Sequence, residues 1–154
     1  MWRKLRKQIA VEREMMHQLL SDHEPLLRKC AVATPDRIEL SALAALLHAF
    51  YNGVENVFKR TAVELGEGLP RPEGWHKELL EAMTHPGPQR PKLISVELAA
   101  ELLEFLKFRH FFRACYPSQL RWRNMAPLAT TCREVFARFE QELDVFLAAT
   151  REKD

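Results

Sequence analysis

Residues 34–65 read TPDRIELSALAALLHAFYNGVENVFKRTAVEL, and this stretch decides the class of fold. Thr34 offers a side-chain oxygen at the N-cap position. Pro35 suits the first helical position, where an absent N–H costs nothing, and Asp36 sets a negative charge at the positive end of the helix dipole. Beyond that start, Ile38, Leu43, Leu46, Phe50, Val54, Val57 and Phe58 recur largely at three- and four-residue intervals. That is the period of a helix face, not the alternation of a strand. The pattern predicts a long, mostly buried helix ending at about Leu65.

Upstream, Leu5, Ile9, Met16, Leu19, Leu20, Leu26 and Leu27 mark the buried side of a helix from about Trp2 to Ala31. Pro25 should kink or restart it, because its ring removes a donor and crowds the preceding turn. Downstream, five of the nine prolines and four of the five glycines fall between residues 66 and 91, which predicts a connection over 66–94 rather than a core element. Trp75–Met83 within it has the pattern of a short helix lying across the bundle. A third long helix is expected from the Ser95 cap to about Cys115, ended by Pro117, which disfavours helical geometry at Tyr116. A fourth is expected from near Pro127 to about Thr150, through Val135, Phe136, Phe139, Leu143, Phe146 and Leu147. The expected fold is all-α: an up-and-down four-helix bundle with a short extra helix in the central connection. It should occupy residues 1–154 as one domain, since 154 residues with 47% hydrophobic content can enclose one core.

Charge gives little away in bulk, since 23 Lys+Arg stand against 21 Asp+Glu. The N-terminal Met1–Lys7 is basic but is followed by alternating apolar and charged residues, unlike a signal peptide. No apolar run approaches the roughly 18 residues of a membrane span, so a cytoplasmic protein without membrane contact is expected. Cys30, Cys115 and Cys132 are odd in number and embedded in helical patterns, as reduced thiols would be.

Locally, charge is far from even. Residues 105–133 contain no Asp or Glu but include Lys107, Arg109, Arg113, Arg121, Arg123 and Arg133. A solvated cationic helix face is the plain explanation for such a run. Arg109, Arg113 and Tyr116, four and three residues apart, would lie within roughly a 60° arc of a continuous helix. Two guanidinium groups beside a phenol can hold a phosphate through paired N–H donors. Phe105, Phe108 and Phe112 have core spacing and are expected to pack rather than stack on bases. The six histidines form no helical pair at metal-ligand spacing with a matching carboxylate, so neither a metal nor a cofactor is implied. No Walker loop or G-x-S-x-G turn is present. Trp75-His76 reads as an interfacial Trp with a satisfied His.

The segment Phe108-Arg109-His110-Phe111-Phe112-Arg113-Ala114-Cys115-Tyr116 resembles the signature of the HepT-like branch of HEPN ribonuclease toxins, whose motif is Arg, four residues, His, one residue, Tyr. Arg109 and Tyr116 match its ends, and Ala114 stands where the histidine should be. His48–Phe58 resembles the family's second helix and Trp75–Met83 its connecting element, so the resemblance spans most of the chain. It implies a metal-independent endoribonuclease toxin, working as a homodimer with the two motifs facing each other. It also implies restraint by an antitoxin of the MntA type, a minimal nucleotidyltransferase that adenylylates the motif tyrosine, here Tyr116. On this resemblance Arg109, Tyr116 and the position of Ala114 form the catalytic set, with Arg113 and His110 contacting the RNA substrate.

Alanine cannot move a proton, and loss of a general acid–base costs on the order of 10²–10⁴ in rate. The family's segment commonly has a histidine at the position of His110 as well, so His110 is not expected to replace it. The expectation is therefore a catalytically dead variant, through decay of the motif or through deliberate replacement of the histidine, and its intact surroundings favour replacement. The alternative is a naturally non-catalytic dimer that holds RNA or a nucleotidyltransferase.

Overall fold

The computed structural model describes residues 1–69 and 74–153. Its helices are α1 (Trp2–Asp22), α2 (Glu24–Cys30), α3 (Arg37–Glu64), α4 (Trp75–Ala82), α5 (Val96–Ala114) and α6 (Trp122–Ala149), with a 3₁₀ turn at Pro117–Gln119 between the last two. Four of them, α1, α3, α5 and α6, make the expected up-and-down bundle. Contacts near helix ends fix the directions: Lys4 at the start of α1 pairs with Glu64 at the end of α3, Arg37 at the start of α3 donates to Leu120 O just beyond α5, and Ser95 at the start of α5 donates to Glu142 late in α6. The sequence expectations at Pro70 and Pro72 lie outside the described residues.

α3 is the central element and packs against α1, α4, α5 and α6. Its start is a capping box two residues later than a Thr34 cap would give. Asp36 is the N-cap; its carboxylate accepts from Glu39 N (2.8 Å), and the Glu39 side chain accepts from Asp36 N (3.0 Å). The box satisfies two donors reciprocally because Glu39 stands at N3; with Thr34 as the cap that position would be Arg37, which has no acceptor to return. Ile38, expected on the buried face, is exposed. It lies five residues before Leu43, about 140° round the helix. The helix closes with Glu67 N bonded to Ala62 O and Gly66 N to Val63 O, and Gly66 supplies the positive φ of 74° that this closure requires.

Gly53 sets the approach of α1. A Cβ there would lie 2.7 Å from Met16 Cγ and 2.8 Å from its Sδ, so only glycine lets the two helices pack this closely. The restart expected at Pro25 occurs: α1 stops at His23, and Pro25 falls in the first turn of α2, where its missing N–H has no helical partner to lose. Phe50, Phe105, Phe136, Phe139 and Phe58 fill the centre in edge-to-face contacts.

Two expectations need correction. α6 begins at Trp122, not near Pro127, which sits inside it. Pro127 forfeits one backbone bond on an exposed side of the helix, where water can satisfy the freed carbonyl, while Met125 and Leu128 are buried and hold the turn. The 66–94 connection is also more than a linker. Leu79, Leu80, Met83, Leu93 and Ile94 enter the core, and buried Arg90 makes a two-pronged pair with Glu67 (2.7 and 2.9 Å). Among the described residues no helix is long and apolar enough to cross a membrane.

Candidate nucleic-acid interface

α5 starts at Ser95, whose hydroxyl accepts from Leu98 N. It ends at Ala114, because Cys115 and Tyr116 are already extended (φ −101°, ψ 157° and φ −82°, ψ 152°). Pro117 imposes that geometry on the residue before it. The consequence for the motif is direct. Arg109 and Arg113 share a helix face, one turn apart, but Tyr116 is not carried on that face, so the three-residue arc expected for a continuous helix is broken.

Tyr116 instead projects from the turn after α5, 77% exposed. The turn is strapped in place. Gln119 reaches back to accept from Tyr116 N (2.7 Å), Arg37 donates to Leu120 O (3.0 Å), and Arg121 donates to Ser118 O (2.7 Å). The phenol is therefore presented on an ordered backbone. Ala114 is also exposed, at the last turn of the helix.

Arg109 is held from α3. Its Nε–H donates to Asn52 Oδ1 at 2.6 Å, and Asn52 Nδ2 lies 3.4 Å from His48 Nδ1. The His48 ring stands edge-on to Phe112. Burial lowers the His48 pKa below its ordinary value, and the charges of Arg109 and Arg113 lower it further, so the ring stays neutral at neutral pH. Among the described residues no protein acceptor engages the two terminal nitrogens of Arg109. Arg113 and His110 have no hydrogen bond or ion pair there at all.

Behind this face α3 carries further polar groups inside its apolar stripe. Glu55 is buried and accepts from His76 Nδ1 at 2.7 Å. The ring of His76 stacks on Trp75 at 3.8 Å. Tyr51 is fully buried with its hydroxyl unpartnered; burial, then the charge of Glu55, pushes its pKa up, so it remains a neutral phenol. Arg109, His110 and Arg113, all marked in the sequence, line one cavity of about 510 Å³ between α4 and α5. Ala114 and Tyr116 do not line it.

Sequence reasoning missed Asn52, His48 and Glu55 as partners of this face. The signal was present: Tyr51, Asn52 and Glu55 interrupt a buried apolar helix, and a polar group buried there needs a partner. A family model described as HepT-like protein matches residues 42–150.

The chain belongs to the HepT-like family. The match spans α3 through α6 and so includes the Arg109–Tyr116 segment and its α3 supports. Neither a search of curated proteins nor one of solved structures finds a match. Among the described residues no group of His, Cys, Asp and Glu could hold a metal ion.

Proposed function

We propose that this HepT-like chain is the toxin component of a toxin–antitoxin pair, an RNA-binding HEPN dimer whose metal-independent cleavage chemistry is disabled at Ala114. The observation that carries the reading is the state of Arg109: Asn52 fixes its Nε, leaving its terminal nitrogens for an outside acceptor. Arg113 lies a turn away, in a stretch with no acid from 105 to 133. A guanidinium so placed suits a phosphodiester, whose developing negative charge it would stabilise.

Cleavage needs one group more. A base must take the RNA 2′-OH proton while that oxygen attacks the adjacent phosphorus and the P–O5′ bond breaks, giving a 2′,3′-cyclic phosphate and a 5′-oxygen that takes up a proton; a histidine at 114 would serve as the base at neutral pH. The alanine methyl leaves binding without proton transfer. In the proposed pairing, an MntA-like nucleotidyltransferase transfers AMP from ATP to the Tyr116 hydroxyl, with release of pyrophosphate. Its exposure and its strapped backbone support that choice of target, and the added nucleotide would put bulk and negative charge at the end of α5 against an approaching RNA backbone.

The test is expression of Ala114→His with and without a neighbouring nucleotidyltransferase, scored by growth and RNA integrity. Restored cleavage, on the order of 10²–10⁴ above the parent, and growth arrest relieved by the transferase are expected. A histidine variant that binds RNA without cutting it would favour a naturally non-catalytic binding module, the second reading, which Ala114 itself supports.

A further inference from the structure

The cavity between α4 and α5 has a composition that the Arg109–Tyr116 motif does not explain. Besides Arg109, His110 and Arg113 it is lined by His76, Lys77 and Lys107, with Leu103 and Leu106 as its apolar part and no carboxylate among its described lining residues. Like charges gathered without counter-ions raise the energy of the folded chain, and an anion entering the cavity relieves that repulsion. Lys77 has no ion pair or hydrogen bond among the described residues. Lys107 pairs only with Glu104 at 3.3 Å, both side chains being well exposed, a contact that contributes little.

Two of the groups are fixed from behind. Arg109 is tied to Asn52. His76 is tied through Nδ1 to Glu55, whose side chain is 3% exposed. A carboxylate accepts, so the Nδ1 of His76 carries the proton in that bond, and Nε2, without a protein partner among the described residues, is an acceptor suited to a ribose hydroxyl. Trp75 covers one face of the ring, which limits its rotation. A cavity of about 510 Å³ lies within the range of small-ligand sites, and its apolar part offers a sugar or base a surface beside the charged groups.

We propose that this cavity holds the backbone of the RNA strand. Arg109 and Arg113 ligate one phosphate, His76 Nε2 accepts from a ribose hydroxyl, and Lys77 and Lys107 meet phosphates at its two rims, so the strand crosses α4 instead of ending at the tip of α5. The proposal rests on the RNA-binding reading above and extends it to a helix that the motif leaves out.

The test is fluorescence anisotropy of a labelled single-stranded RNA oligonucleotide against the full chain across a salt series. The variants are Lys77→Glu, Lys107→Glu and His76→Gln, with Arg109→Ala for reference. Lys7→Glu is the charge-matched control, on α1, a helix that packs against α2, α3 and α6. Each lysine reversal should weaken binding roughly five- to tenfold and flatten the logarithmic salt slope by about one, as loss of a phosphate contact does. His76→Gln should weaken it about threefold, and the control should stay within about twofold of the parent. If Arg109→Ala loses affinity while Lys77→Glu and Lys107→Glu match the control, the strand path is wrong and the RNA reading survives. If the parent binds no RNA, both fall. Binding of AMP that depends on Lys77, without binding of the oligonucleotide, would make the cavity a free-nucleotide site and overturn the strand path.

Discussion

Arginines of the α1–α6 seam and arginines of α5 are the same chemical group in opposite settings. Arg13 on α1 reaches Glu140 (3.0 Å) and Asp144 (2.7 Å) on α6, and His17 shares Glu140 (2.8 Å). Burial opposes the charge of Arg13, but hydrogen bonds to Asp144 and Glu140 outweigh it and raise its pKa. On α5, Arg109 has one neutral partner, Asn52, and Arg113 has none among the described residues. The seam spends its cations on joining helices; α5 leaves them available. Among the described residues no acid answers the two guanidiniums of α5, and on the proposed function an RNA phosphate would.

Substitutions can break that contrast from either side. The largest effect should come from the paired class. Arg90 is almost wholly buried against Glu67, and Arg90→Ala would strand the carboxylate, lowering stability by about 3–5 kcal/mol in urea unfolding while leaving any RNA affinity of the folded fraction unchanged. Arg109→Ala should do the reverse, weakening RNA binding about tenfold with little change in unfolding midpoint. Arg113→Ala should weaken binding roughly threefold and flatten the salt slope by about one. Arg13→Ala belongs with the paired class at a solvated seam, so it should cost about 1 kcal/mol of stability, less at high salt, and nothing in RNA affinity. Loss of RNA binding in Arg13→Ala, or of stability alone in Arg109→Ala, would erase the distinction.

The smallest effect is in pH. His48 has its pKa lowered in the fold, first by burial and then by Arg109 and Arg113. The unfolded chain therefore takes up this proton near pH 6.5, before the folded one does. The His48 contribution to stability is present above that pH and is lost as pH falls toward the folded value. Unfolding midpoints of the parent should drop more between pH 7.5 and pH 5 than those of His48→Gln. Equal drops would show that this ring does not feel the two arginines.

The sequence made the bundle legible because its signals were local: apolar period, the Ser95 cap, and Pro25 and Pro117 as breaks. Where the expectation missed, tertiary packing or a stronger local signal had won. Buried Met125 and Leu128 carry α6 through Pro127, and Asp36 with Glu39 displaces Thr34 as the cap. Of the candidate site, the α5 half could be read from spacing and resemblance. The α3 half could not, since Asn52 lies 57 residues from Arg109 and nothing local pairs them. Its trace was the set of polar residues set into a buried stripe. The departure of Tyr116 from the arginine face is itself legible in Pro117, which acts on the residue before it.

The central claim is that Arg109, freed of acidic partners, holds an RNA phosphate in a chain that cannot cut it. The most direct measurement is an RNA-binding titration of the parent and Arg109→Ala at about 50 and 200 mM salt, with the RNA examined for cleavage afterwards. The account predicts binding that falls steeply with salt, is weakened about tenfold by the substitution, and leaves the RNA intact. Absence of binding at low salt, binding indifferent to Arg109, or cleavage by the parent would contradict it.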